Sequence, residues 1–144
     1  MKIASIAFLI LCSMVTAAQP VNQPSPPPGK LIDIGGYRLH LNCTGNKAPT
    51  VVLIAGAGDF SFDWSLVQPG IAQFARVCSY DRAGFAWSDP GPKPRTMRQE
   101  AFELHTLLDA ARIKGPYLLV GHSLGGLLTR VYADRIRRRW PASC

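Results

Sequence analysis

The sequence predicts an α/β domain of about five strands, with a mostly parallel sheet and flanking helices. Three observations carry that prediction. TVVLIA at residues 50–55 and YLLVG at residues 117–121 are apolar runs without alternation, as strands buried on both faces require. Between Thr96 and Ile113 apolar residues recur at helical spacing, with Ala101, Leu104, Leu107, Leu108 and Ala111 on one face. Strand-like and helix-like segments alternate along the chain, and that alternation builds parallel sheets covered by helices.

The first 18 residues stand apart from this domain. Lys2 is a positive flank, Ile3 to Val15 is apolar, and Thr16-Ala17-Ala18 ends in small residues. That pattern predicts a secretory signal cleaved after Ala18, and hence a secreted or periplasmic protein. The apolar stretch is short for a membrane span, and an uncleaved anchor is the alternative reading. Leu11 before Cys12 argues against lipid attachment. Residues 19–30, QPVNQPSPPPGK, are too rich in proline for helix or sheet and read as an exposed tether.

The domain itself spans residues 31–135. LIDIGGYRLHLNC, Leu31 to Cys43, reads as two strands joined at Gly35-Gly36, the second alternating Leu39, Leu41 and Cys43 against Arg38, His40 and Asn42. Thr44 to Pro49 is a turn, Thr50 to Ala55 a strand, and GAGDF a glycine-rich loop. Ser61 to Phe74 holds a short helix and Arg76 to Asp81 another strand. RAGFAWSDPGPKP is a loop thick with turn residues. Gly115-Pro116 ends the long helix that begins at Thr96, YLLVG follows as a buried strand, and the chain from Ser123 is helical again.

Charge and cysteines exclude several functions. The formal charge is +7, but Lys2 belongs to the leader and Arg137, Arg138 and Arg139 to an atypical tail; removing those four unit charges leaves +3. No basic stripe interleaved with aromatics remains, so neither nucleic acid nor an anionic membrane is an expected partner. Beyond the leader, Cys43, Cys78 and Cys144 show no metal-ligand spacing, and no cofactor is expected.

Chemistry concentrates at LLVGHSLGGLL, residues 118–128. Ser123 falls where a strand turns into a helix, the context that defines a nucleophile elbow. Gly121 and Gly125 leave room for backbone to crowd backbone around the bend. The helix from Leu124 presents free N–H groups and a positive dipole end to developing negative charge. A helix-capping serine with incidental glycines is the plainer alternative.

GHSLGG, LIAGAGDFSFDW and YDRAGFAWSDPGPKPRT together resemble the α/β-hydrolase superfamily, in its serine-nucleophile branch, from about Ile32 to Arg135. The resemblance implies that this chain is the N-terminal portion of that fold, a five-strand remnant that leaves YLLVG unpaired along one side as an apolar, aggregation-prone edge. It implies Ser123 as nucleophile and the Leu124 backbone N–H as half of the oxyanion hole. The other half falls to Ala57, or else Gly58, in a loop where the family often has His-Gly and this chain has Ala55-Gly56. It places the second strand antiparallel to the strand of RVCSYD, and so suggests a Cys43–Cys78 disulfide. His122 then points away from the serine as a structural residue. Asp81 and Arg82 fix the loop beyond their strand, and His40 and His105 are packed or solvated.

The family's acid and histidine follow the serine in the chain, but residues 124–144 contain no histidine, and Asp134 stands too far along the helix to be the acid. Resemblance breaks at IRRRWPASC, residues 136–144. One T restored before the codons ATC CGG CGG AGG TGG CCG GCA TCG TGC would read Tyr-Pro-Ala-Glu-Val-Ala-Gly-Ile-Val, the link and strand the family implies. A frameshift is the expected origin, and a short isoform or a basic tail the alternative. The sequence therefore predicts an exported serine hydrolase fragment, truncated and inactive or weakly active. Its full-length relatives would act on small-molecule esters or amides. The competing reading is a non-catalytic binding domain, or one completed by another chain.

Overall fold

The computed structural model describes residues 26–137, with side chains through residue 135. The leader, most of the tether and the tail therefore lie outside the described residues. Five strands form one sheet in the order β1-β2-β4-β3-β5. They are β1 (Lys30–Asp33), β2 (Arg38–Thr44), β3 (Thr50–Ile54), β4 (Arg76–Tyr80) and β5 (Tyr117–Gly121). The β3–β4 and β3–β5 pairings are parallel, while β2 pairs antiparallel with both β1 and β4, so the sheet is mixed.

The β1–β2 hairpin turns where the sequence reading put it. Gly35 and Gly36 have φ of 103° and 100°, a region that only glycine occupies without strain. Asp33 Oδ1 accepts hydrogen bonds from both of their N–H groups, at 2.8 and 3.1 Å. The tether ends earlier than the expected residue 30. Lys30 already pairs with Leu41, and the Pro28 carbonyl is bonded to the His40 ring. Gly29 lies so close to β2 that a Cβ there would meet Asn42 Cα at 2.7 Å.

The span 61–74 holds the expected short helix, preceded by a separate 3₁₀ turn. A 3₁₀ turn covers Ser61–Trp64, and α1 covers Gln68–Ala72. Pro69 sits in the first turn of α1, where its missing N–H costs no hydrogen bond but forces a fresh helix start. The long helix α2 (Met97–Ala110) is capped by Thr96, whose hydroxyl accepts from the Gln99 N–H at 3.1 Å. The last helix, α3 (Leu124–Arg137), leaves β5 through a two-residue bend.

Each sheet face has its own core. Leu39, Leu41, Val52, Ile54, Cys78 and Tyr80 pack against Ala101, Leu104, Leu107 and Leu108 of α2 and Leu128 and Tyr132 of α3. Leu104 and Leu107 are fully buried. Such a leucine stabilises by roughly 1.5–3 kcal/mol, and truncating one to alanine costs about 2–5 kcal/mol. The opposite face carries Val51, Leu53, Ala75 and Val77 against Trp64, Ile71 and Ala72. β3 is thus buried on both sides, as its unbroken apolar run requires.

β5 departs from that expectation. It is the last strand in the sheet order, and Leu118 and Val120 are 55% and 37% exposed. Both stand in register with Val51 and Leu53 on the α1 face. That face is covered over β3 and β4, but among the described residues nothing covers it over β5. Cys43 and Cys78 are direct partners in the β2–β4 register, and the structure joins them in a disulfide with Cα atoms 4.0 Å apart.

Candidate functional site

The site is built on the C-terminal ends of β3 and β5. β5 ends at Gly121, α3 begins at Leu124, and Ser123 lies exposed between them with φ of 51°. A serine in the left-handed region is uncommon, and the surrounding structure must hold it there. Two glycines do so by allowing close approach. A Cβ on Gly121 would stand 2.5 Å from Gly126 N, and one on Gly125 would stand 2.8 Å from the Ile54 carbonyl carbon and 2.9 Å from the Ala55 oxygen. The His122 N–H donates to the Ile54 carbonyl at 3.1 Å, tying the bend to the end of β3. Gly125 N–H and Gly126 N–H close onto the His122 and Ser123 carbonyls at 2.8 and 2.9 Å. Leu124 starts α3, where N–H groups lack an acceptor within the helix.

The loop after β3 runs beside this bend. Ala55 and Gly56 are buried, while Ala57 and Gly58 are exposed, and Gly58 takes φ of 79°. Asp59 N–H donates back to the Gly56 carbonyl at 3.3 Å. His122 does point into an interaction of its own: its Nδ1 lies 3.2 Å from Asp59 Oδ2, in a pair whose side chains are 67% and 38% exposed. A cleft of ≈ 290 Å³ opens here, lined by Ala55, Gly56, Asp59, Asp63, Trp64 and His122. A larger hollow of ≈ 520 Å³ lies near Gly29, Cys43 and Arg76, towards the N-terminal ends of the parallel strands, and contains none of the elbow residues.

Two buried networks support the loops. His40 and Asp81 are fully enclosed, with His40 Nδ1 2.9 Å from Asp81 Oδ2. Burial pushes the Asp81 carboxyl up, but hydrogen bonds from His40 and Ser61 outweigh it and hold the carboxyl below the usual range. Burial likewise pushes His40 down, and its bonds to Asp81 and the Pro28 carbonyl outweigh that and raise it. Both groups therefore favour their charged forms. Ser61 Oγ also approaches the same Nδ1, at 3.4 Å. This Ser-His-Asp group is not a catalytic relay, because serine and acid share one ring nitrogen and the other faces the Pro28 carbonyl. Instead Asp81 anchors Ser61 N–H at 2.7 Å, and its own carbonyl accepts from Ser88 Oγ at 2.7 Å.

Arg82 heads the second network. Its guanidinium donates through Nη1 to the Ala55 carbonyl and through Nη2 to the Gly56 carbonyl, both at 2.5 Å. Behind it, Nε lies 3.7 Å from Glu100 Oε2. Burial pushes the Glu100 carboxyl up against the opposing pull of Arg82 and Arg95. Arg95 grips both Glu103 oxygens, at 2.5 and 2.6 Å, and Tyr37 donates to Glu103 at 2.7 Å. Burial and then Glu103 push the Tyr37 hydroxyl up to about 12.

The structure thus brings Gly121, Ser123, Leu124 and Gly125 to one bend, beside the loop of Ala57 and Gly58. Cys43 and Cys78 lie elsewhere in the sheet. Sequence reasoning gave Asp81 and Arg82 to the loop after their own strand, and Asp81 does bond there. Arg82 bonds there too, its carbonyl accepting from the Phe85 N–H at 3.0 Å and its guanidinium lying 5.0 Å from the Phe85 ring, and its side chain also reaches back to the loop after β3. The only signal for it was a cation placed directly after a buried strand.

A parallel three-strand unit, an antiparallel second strand and a strained serine at a strand-to-helix bend define a hydrolase-type α/β protein. A profile of the alpha/beta hydrolase fold matches residues 49–141, and the chain belongs to that family. It is 37% identical over 108 residues to a probable transporter, efuK, of Hormonema carpetanum, covering 71% of this chain and 16% of that protein. It is 38% identical over 105 residues to the uncharacterized protein YqjL of Bacillus subtilis, covering 72% and 42%. Among solved structures, the enol-lactonase of Burkholderia xenovorans superposes with a TM-score of 0.70 at 26% identity, over 76% of this chain and 43% of that one. The chain spans less than half the length of each of these proteins. Fold and relationships support a hydrolase-like function.

Proposed function

We propose that Ser123 is the nucleophile of an acyl-transfer site for esters or amides of small molecules. The observation that carries the reading is the left-handed serine at the β5–α3 bend, beside the exposed Ala57 backbone. Its Oγ would bond to the acyl carbon while a base takes its proton. The carbonyl oxygen would collect the negative charge against the N–H groups of Leu124 and Ala57. The alcohol or amine then leaves with the proton, and water repeats the sequence to release the acid. This chemistry calls for no metal or cofactor.

The base is the weak point of this chain taken alone. Residues 124–144 hold no histidine, and of the three in the chain His40 is enclosed, His105 lies on α2 beside Tyr132, and His122 Nδ1 is engaged by Asp59. The reading therefore predicts little turnover by these 144 residues, with base and acid supplied by residues outside them. The exposed Leu118 and Val120 favour the companion reading, in which another polypeptide completes the sheet. Export through the N-terminal leader belongs to the same proposal. Among the described residues no helix is long and apolar enough to cross a membrane.

A fluorophosphonate probe tests the nucleophile, with the labelled residue located by peptide mass spectrometry. Slow labelling at Ser123, accelerated by added imidazole as an external base and absent in Ser123→Ala, is the expected result. Equal labelling of both proteins would refute the assignment.

A further inference from the structure

We propose that Arg82 is a positioning residue that aims the Ala57 N–H, a role resting on the reading of Ala57 as an oxyanion donor. A peptide unit is planar and trans, so its C=O and N–H point in opposite directions. The Gly56 carbonyl and the Ala57 N–H belong to one such unit. Arg82 Nη2 holds that carbonyl at 2.5 Å, and Nη1 holds the preceding one, of Ala55, at the same distance. Two donors of one rigid fork on consecutive carbonyls set two consecutive peptide planes. The Ala57 N–H is thereby directed away from the buried guanidinium, at a residue that is itself exposed.

The tie is needed because of Gly56. A Cβ there would meet only the side-chain tips of Asp59 and His122, at 2.5 and 2.9 Å, which can swing aside, so the absence of a side chain leaves this peptide loose without being forced by backbone. Glycine is also the residue whose backbone reorients most freely. With no side chain at residue 56 to stiffen the peptide, and only the longer bond from the Asp59 N–H at 3.3 Å on the same carbonyl, Arg82 supplies that stiffness from below. Arg82 is 4% exposed, its Cζ lies 5.0 Å from the Phe85 ring centroid, and Glu100 flanks its Nε, so the fork has little freedom of its own. Its charge also polarises the Gly56–Ala57 peptide, which strengthens the N–H as a donor. A lysine would keep the charge but present a single point donor that cannot hold both carbonyls in plane.

The test compares the wild-type chain with Arg82→Lys by ¹⁵N NMR. The backbone order parameter at Ala57 should fall from about 0.85 to below about 0.6, while β3 and β4 amides keep their shifts. An unchanged order parameter and N–H dipolar coupling at Ala57 would overturn the proposal. If the variant does not fold, the wild-type protein decides through the scalar coupling across the hydrogen bond from Arg82 Nη2 to the Gly56 carbonyl carbon: its presence supports the tie and its absence overturns it. Fluorophosphonate labelling separates this proposal from the reading beneath it. Ser123 in Arg82→Lys should label roughly 10- to 100-fold more slowly than in wild type. Both rates are taken with added imidazole as an external base: equal rates refute the role of Arg82, whereas a wild-type chain that does not label at Ser123 even then refutes the acyl-enzyme reading and leaves the Ala57 measurement standing.

Discussion

Gly125 and Gly126 are neighbours on α3, and the structure gives the same substitution opposite effects at the two positions. In an ordinary helix position alanine is better than glycine by about 1 kcal/mol. At Gly126 an added Cβ meets only the Gly121 oxygen, at 3.6 Å, which is ordinary contact. Gly126→Ala should therefore stabilise by ~0.5–1 kcal/mol. At Gly125 the Cβ would fall on backbone: the Ile54 carbonyl carbon at 2.8 Å and the Ala55 oxygen at 2.9 Å. Backbone at the end of a central strand cannot swing aside as a side-chain tip can. Overpacking a well-packed site costs about 1–3 kcal/mol; against backbone that cannot yield the upper end applies and exceeds the propensity gain. Gly125→Ala should destabilise by about 2 kcal/mol, which is a fall of roughly 8 °C in Tm for a domain of this size. Thermal and urea unfolding followed by circular dichroism measure both variants. A Gly125→Ala protein as stable as wild type would refute the claim that the bend needs that space, as would equal losses at both positions.

Reducing the Cys43–Cys78 bridge, which closes a separation of 35 residues, should cost about 4 kcal/mol on the chain-entropy account; unfolding with and without reductant, beside intact mass, measures it. The His40–Asp81 pair makes stability depend on pH from both sides. Asp81 is depressed, so its contribution is present above the unfolded value near 3.9 and is lost as pH falls through the folded value. His40 is raised, so its contribution is present below about 6.5 and is lost as pH rises through the folded value. The pair should contribute most between about pH 4 and 6.5, and a urea-midpoint profile for Asp81→Asn should lose the wild-type acid limb; an unchanged limb would contradict the pairing. Leu118→Lys with Val120→Lys should suppress concentration-dependent association measured by sedimentation, because these side chains are the exposed apolar part of an edge strand.

What could be read from the sequence was what the backbone decides locally. Gly35-Gly36, the β-branched run over β3 and the glycines around Ser123 each constrain the chain within a few residues, and the structure places a turn, a central strand and a bend there. Pro69 was a local signal too, and it starts the short helix expected within 61–74. The edge position of β5 was legible through the family resemblance, which leaves YLLVG unpaired along one side, and the sheet order agrees. The open face was not: YLLVG has the composition of a strand buried on both faces, yet Leu118 and Val120 are exposed. Nor was the reach of Arg82 to carbonyls 26 and 27 residues earlier, because no periodicity encodes a contact between two strand ends. The same division runs through the candidate site. Its proposed donors are main-chain N–H groups, so the alanine at position 57 offers no side-chain signature, and an Ala-Gly pair stands where His-Gly was the expected form. The side chains that hold those donors in place are buried charges in a different segment. Their part in the site becomes visible only when β3 and β4 are laid side by side.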